Sequence, residues 1–126
     1  MSKKILIVDD EPHIRALLEQ TLEDLEDEGV ELLTAGDGLE AWTAAQQERP
    51  DLIILDVMMP RMSGYEVCER IKSEPTLSDV YVIMLTAKGQ AVDRQRGEQV
   101  GADEYVTKPF DPDYLIERAE TLLGLN

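Results

Sequence analysis

The sequence predicts an α/β fold: a five-stranded parallel sheet with helices on both faces. Two observations lead there. Uninterrupted apolar runs occupy residues 5–8, 52–55 and 80–85, and such runs suit strands covered on both sides, as in a parallel sheet flanked by helices. Between and after them, apolar residues recur at helical spacing, so strand and helix alternate five times along the chain. Right-handed crossovers then follow.

The first run stops at Asp9, Asp10 and Glu11. Pro12 suits the first turn of a helix, and the acids before it suit the positive end of its dipole. Ile14, Leu17, Leu18, Leu22 and Leu25 give that helix one apolar face, while Glu19, Glu23, Asp24 and Glu26 form a solvated one. Gly29 ends it. Residues 30–35 make a short strand of mixed polarity, expected near a sheet edge. Gly36-Asp37-Gly38 is a turn, with Asp37 or Gly38 capping a second helix that runs through Gln47 and buries Ala41, Trp42 and Ala45. Pro50 leads into the strand at 52–55, which ends on Asp56; Pro60 and Gly64 punctuate the loop beyond. The third helix, from Tyr65 to about Ser73, turns Val67, Cys68 and Ile71 inward. The strand that starts at Val80 runs on to Thr86, Ala87 and Lys88. A fourth helix over residues 91–100 has few apolar anchors and contains Gly97, so it reads equally as an element that moves or as a plain exposed helix. Residues 104–107 form the last strand, before Lys108-Pro109-Phe110. Asp111 and Pro112 open the last helix, with Leu115, Ile116, Ala119, Leu122 and Leu123 inward.

At 126 residues, of which 43% are hydrophobic, the chain is expected to be a single domain over 1–126. Its net charge of -15 repels phosphate backbones and anionic lipid, which argues against direct nucleic-acid or membrane binding. With one cysteine, Cys68, and one histidine, His13, it can form neither an intrachain disulfide nor a typical zinc site. Cys68 is expected to be a small buried hydrophobe rather than a reactive thiol. No apolar stretch approaches a membrane span, and the run before Asp9 is too short for a signal peptide, so the expected location is cytoplasmic. Neither common glycine-rich phosphate loop occurs, which leaves nucleotide binding without support.

The chemistry lies at the carboxyl ends of the strands, where open α/β sheets bind their ligands. Singly, each residue there has an ordinary reading: an Asp can be a turn former, Thr86 a strand residue, Lys108 a surface charge. Together they form a set: Asp9 and Asp10 after the first strand, Asp56 after the third, Thr86 after the fourth, Lys108 after the fifth. Crowded carboxylates resist ionisation unless a cation is present, and magnesium takes oxygen ligands while keeping several waters. An acid nucleophile, a metal, a lysine and a hydroxyl are the parts needed to transfer a phosphoryl group to a carboxylate.

This set resembles the receiver domain of two-component response regulators. The resemblance rests on Ile7-Val8-Asp9-Asp10-Glu11, Asp56-Val57-Met58-Met59-Pro60 with Gly64, Leu85-Thr86-Ala87, and Thr107-Lys108-Pro109-Phe110, and it extends over residues 4–124. It implies the flavodoxin-like strand order 2-1-3-4-5. It implies that Asp56 accepts a phosphoryl group from a sensor histidine kinase or phosphotransfer protein. Asp10, Asp56 and the Met58 backbone carbonyl would bind Mg2+, with Asp9 acting through water and Mn2+ expected to substitute. Lys108 would hold a phosphoryl oxygen, and the Lys108-Pro109 bond is expected to be cis. Thr86 and Tyr105 would switch, reshaping the face of the fourth helix, last strand and last helix for a downstream protein target.

The resemblance also makes the domain a phospho-acceptor with slow self-dephosphorylation, not an enzyme. Met58 and Lys88 stand at positions that tune phosphoryl lifetime in the family, and Met58 cannot position a hydrolytic water. The chain is expected to be stand-alone or the receiver part of a winged-helix-type transcription regulator. In the latter, Arg94, Glu104 and Arg118 match charged positions of a switch-face dimer, while Tyr114 replaces a glutamate; a monomer or weak homodimer is expected. Two other classes compete. An aspartyl-phosphate phosphatase usually carries a second Asp two residues past the nucleophile, where this chain has Met58, and no cap insertion supplies a substrate site. An unphosphorylated interaction module on the same fold predicts a broken acidic set, which here is intact.

Overall fold

The computed structural model describes residues 3–87 and 99–125. Its elements are β1 (Lys3–Val8), α1 (Pro12–Leu22), a 3-10 segment (Glu23–Glu28), β2 (Val30–Ala35), α2 (Gly38–Glu48), β3 (Leu52–Asp56), α3 (Gly64–Ser73), β4 (Tyr81–Ala87), β5 (Glu104–Lys108) and α4 (Pro112–Leu122). The strands form one sheet in the order β2-β1-β3-β4-β5, every pair parallel, as expected. Of the helix expected over residues 91–100, only Gln99 and Val100 are described, and both are helical; Asp93, Arg94 and Lys88 lie outside the described residues.

Strand alternation sorts the core into two layers. Leu6, Val8, Ile53, Leu55, Val82 and Met84 face α2 and α3, where they meet Ala41, Ala45, Val67, Cys68 and Ile71. Ile5, Ile7, Leu52, Ile54, Ile83, Leu85 and Val106 point the other way, towards Leu18, Leu22, Leu115 and Ala119 of α1 and α4. All five residues of β3 are buried, which is why its sequence is apolar without interruption until Asp56. β2 lies at the edge, as its mixed polarity suggests, and is buried only at its two ends, Val30 and Ala35.

Three details depart from the sequence reading. The first helix is not continuous to Gly29, because α1 stops at Leu22 and a 3-10 segment follows, with acids at five of its six positions. Acids collected at a helix C-terminus meet the negative end of the dipole and disfavour further α-helix. Leu17 is exposed rather than part of the buried stripe. It lies roughly a quarter-turn from the mean direction of Ile14, Leu18, Leu22 and Leu25. Trp42 is half-buried: it packs against the core and its outer face is covered by the Arg70 guanidinium, 5.9 Å from the ring centroid.

The helices start where the sequence signals them. Asp37 caps α2 by accepting from the Glu40 amide at 2.8 Å, Ser63 caps α3 by accepting from Glu66 at 3.3 Å, and Pro112 occupies the first turn of α4. Gly64 has a further duty. A Cβ there would lie 2.3 Å from the Asp56 carbonyl oxygen, so only glycine lets α3 begin this close to the end of β3. Its amide donates to the Val57 carbonyl at 2.9 Å, folding the intervening loop back over the strand end.

Candidate phospho-acceptor site

Asp9, Asp56 and Lys108 converge because each continues the alternation of its strand. Ile5 and Ile7 lead to Asp9, Leu52 and Ile54 to Asp56, and Val106 to Lys108, all on the α1–α4 side of the sheet. Parallel pairing brings the ends level. Val8 lies beside Leu55, Asp56 beside Leu85, and Ala87 beside Lys108.

The Lys108 ammonium sits between two carboxylates. Nζ donates to Asp56 Oδ1 at 2.9 Å and to Asp9 Oδ2 at 3.2 Å. Asp9 is completely buried, and its other oxygen accepts from the Glu11 amide at 2.9 Å. Asp56 is only 6% exposed, whereas Asp10 is open to solvent. One carboxylate oxygen from each of Asp9, Asp10 and Asp56 falls within 4.8 Å of the others. The lysine cannot balance all three. Burial pushes the Asp56 carboxyl up to about 6; its bond to Lys108 opposes that rise, and the charges of Asp9 and Asp10 add to it. Burial alone would lower the Lys108 ammonium, but its bonds and attraction to Asp56 and Asp9 outweigh burial and hold it above the usual lysine range.

This donor set fits a hard divalent cation, since it offers only oxygens and carries an excess of negative charge. Both Asp9 oxygens already have partners, whereas Lys108 bonds only one oxygen of Asp56 and neither of Asp10.

The other expected residues fall nearby in different settings. Thr86 is buried at the end of β4, in register with Thr107. Tyr105 pairs with Met84 and is half-buried, packed on the α2–α3 side of the sheet. Thr86 and Tyr105 thus share one face, one diagonal step apart across β4 and β5. The Met58 side chain stands out in solvent, 66% exposed, on the loop after Asp56. The Lys108-Pro109 bond is cis, as expected. Cys68 is buried, and burial pushes its thiol up to about 12, which fits an inert core residue.

Arg15 escaped the sequence reading. Its Nη1 donates to the Asp9 carbonyl at 2.7 Å. The available signal was an arginine one turn inside a helix that starts just after an acidic strand end, close enough to fold back on it. Glu104 and Arg118, expected to match charges of an interface between two chains, pair within this one at 3.0 Å. Glu104 also accepts from the hydroxyls of Tyr81 and Tyr114, so the tyrosine that replaces a glutamate joins the same network.

A parallel sheet in this order, carrying three acids and a lysine at its carboxyl end, defines a receiver-type domain. A family model described as "Response regulator receiver domain" matches residues 5–120, and the chain belongs to that family. Among curated proteins it is 50% identical over 121 residues to "Probable transcriptional regulator ycf27" of Cyanophora paradoxa, covering 96% of this chain and 48% of that protein. It is 44% identical to the alkaline phosphatase synthesis transcriptional regulatory protein PhoP of Bacillus subtilis, covering 98% of this chain and 49% of that one. The chain therefore spans about half the length of the curated relatives it matches. Among solved structures, it superimposes with a TM-score of 0.86 and 29% identity on the receiver domain of the sensor histidine kinase PA1611 from Pseudomonas aeruginosa, covering 98% of this chain and 99% of that one. That structure is described as having a magnesium ion coordinated in its active site cleft. No helix among the described residues is long and apolar enough to cross a membrane.

Proposed function

We propose that Asp56 is the phospho-acceptor of a signalling switch, taking its phosphoryl group from a phosphohistidine on a sensor histidine kinase or phosphotransfer protein. The observation that carries this reading is the Lys108 ammonium held between Asp56 and Asp9 at the mouth of a three-carboxylate cluster. An Asp56 oxygen attacks phosphorus, the donor's N–P bond breaks, and the donor leaves as imidazole while an acyl phosphate forms on Asp56. Lys108 turns from the carboxylate to a phosphoryl oxygen, a role suited to a compact point charge. Asp10, Asp56 and the Met58 carbonyl would hold Mg2+, with Asp9 acting through water; Mn2+ would serve as well. When bound, the metal neutralises charge on the phosphoryl oxygens. The magnesium described in the related PA1611 receiver supports this assignment.

Thr86 then bonds the new phosphoryl group and Tyr105, on the same sheet face, follows. These charge-assisted contacts bias the surface around β5 and α4 towards one conformation that a downstream protein reads. The domain is a stoichiometric switch rather than an enzyme with a substrate pocket. The test is incubation of the chain with a small-molecule phosphodonor, followed by intact mass. We expect a phosphoryl mass gain that needs Mg2+ and disappears in Asp56→Asn. Mass gain that survives either omission would overturn the assignment.

A further inference from the structure

Arg15 does not run out into solvent from α1. Its Nη1 holds the Asp9 carbonyl at 2.7 Å, and its guanidinium lies over Gly36, where a Cβ would come 3.2 Å from the same nitrogen. One side chain therefore latches the end of β1, the first part of α1 and the turn after β2. The Asp9 amide reaches the Ala35 carbonyl at 3.3 Å and closes the same junction from the backbone side.

The carbonyl that Arg15 holds belongs to the peptide unit joining Asp9 to Asp10. That unit is planar, so fixing its carbonyl direction also fixes the bond from which the Asp10 residue extends. Asp9 has its own restraints through Glu11 and Lys108. Asp10 is exposed, and the peptide unit behind it is the part of its orientation that Arg15 sets.

We propose that Arg15 is a positioning residue, which clamps the Asp9–Asp10 peptide unit so that the Asp10 carboxylate points into the cluster, and thereby sets the site's affinity for a divalent cation. The proposal rests on the phospho-acceptor reading above and deepens it. Arg15 need not touch metal or phosphoryl group. Its removal has two consequences of opposite sign, which makes the idea easy to test. A guanidinium near a cation site repels the cation, so by charge alone its loss tightens metal binding. Loss of aim weakens binding, and partners that orient metal ligands typically govern roughly 10–100-fold in affinity.

The experiment titrates magnesium into the metal-free full chain by calorimetry, with urea unfolding in parallel, for wild type, Arg15→Met, Arg15→Lys, Gly36→Ala and the Arg15→Met/Gly36→Ala double variant. Arg15→Met is expected to weaken magnesium binding by about tenfold or more, and Arg15→Lys to recover part of the loss. Gly36→Ala crowds the guanidinium, whose nearest nitrogen lies 3.2 Å from the added Cβ and must give slightly, so it should weaken binding in the same direction by less. Added to Arg15→Met, it should cost nothing further, because the two changes act through one contact. A merely structural role would lower the urea midpoint and leave the affinity of the folded protein unchanged. Affinity in Arg15→Met equal to or tighter than wild type overturns the proposal, as does full additivity with Gly36→Ala. Wild type that takes up no magnesium overturns the phospho-acceptor reading itself, and this proposal with it. If Arg15→Met fails to fold, Arg15→Lys and Gly36→Ala carry the same comparison.

Discussion

At the scale of single residues, the raised Asp56 carboxyl has a direct consequence for stability. Its folded value of about 6 lies above the ordinary 3.8, so the folded chain binds more protons than the unfolded one between those two pH values. Stability without metal should therefore fall as pH rises from about 4 to about 6 and stay lower above that window. Asp56→Asn removes this slope. At neutral pH without metal it should be more stable than wild type by roughly 1–3 kcal/mol, a range that allows for partial solvent screening. The advantage should vanish near pH 4, as urea unfolding at several pH values would show. Lys108→Met acts in the opposite direction. It leaves buried Asp9 and Asp56 without their ammonium, at a cost of about 3 kcal/mol at neutral pH, and less in acid, where the Asp56 carboxyl protonates. If Asp56 is the phospho-acceptor proposed above, Met58 should bear on lifetime rather than stability. Its exposed apolar side chain offers no hydrogen bond to a hydrolytic water, so Met58→Asn should shorten the half-life of the phosphorylated chain, measured by intact mass after donor removal.

At the scale of elements, the junction of β3 and α3 is the tightest constraint on the site. Gly64→Ala places a methyl group against the Asp56 carbonyl, so the start of α3 must retreat. We expect a loss of about 1–3 kcal/mol and slower phosphoryl uptake, since the retreat moves the loop that carries Met58. Asp37→Ala is the control: it removes the α2 cap for about 1 kcal/mol and should leave uptake unchanged. Elements also show what a sequence can and cannot reveal. β3 was legible because burial on both faces writes an unbroken apolar run, and β2 because an edge strand does not. The break between α1 and its 3-10 continuation was not, since Leu22 and Leu25 keep the helical spacing across it. The Arg15–Gly36 contact, and the Lys72–Asp103 ion pair at 2.7 Å that ties α3 to the approach to β5, join residues whose proximity only tertiary structure creates. Asp9, Asp56 and Lys108 were legible as a set, not singly, because the parallel sheet gathers its carboxyl ends at one edge.

At the scale of the whole molecule, the net charge of -15 sets a background of self-repulsion that no local pair removes. Raising sodium chloride from very low ionic strength to about 0.15 M should therefore raise the thermal midpoint through screening. Magnesium should add a further increment that Asp56→Asn largely loses, because a ligand that binds only the folded state stabilises it by mass action. Scanning calorimetry across the salt and magnesium series checks both. The lysine that completes the site also imposes an order in time. Lys108 lies 99 residues after Asp9 and 52 after Asp56. A growing polypeptide emerging from the ribosome thus displays both acids long before their counter-charge exists. Nascent chains released before β5 is made should be deaf to a phosphodonor, so responsiveness to the signal is acquired only once β5 has been made.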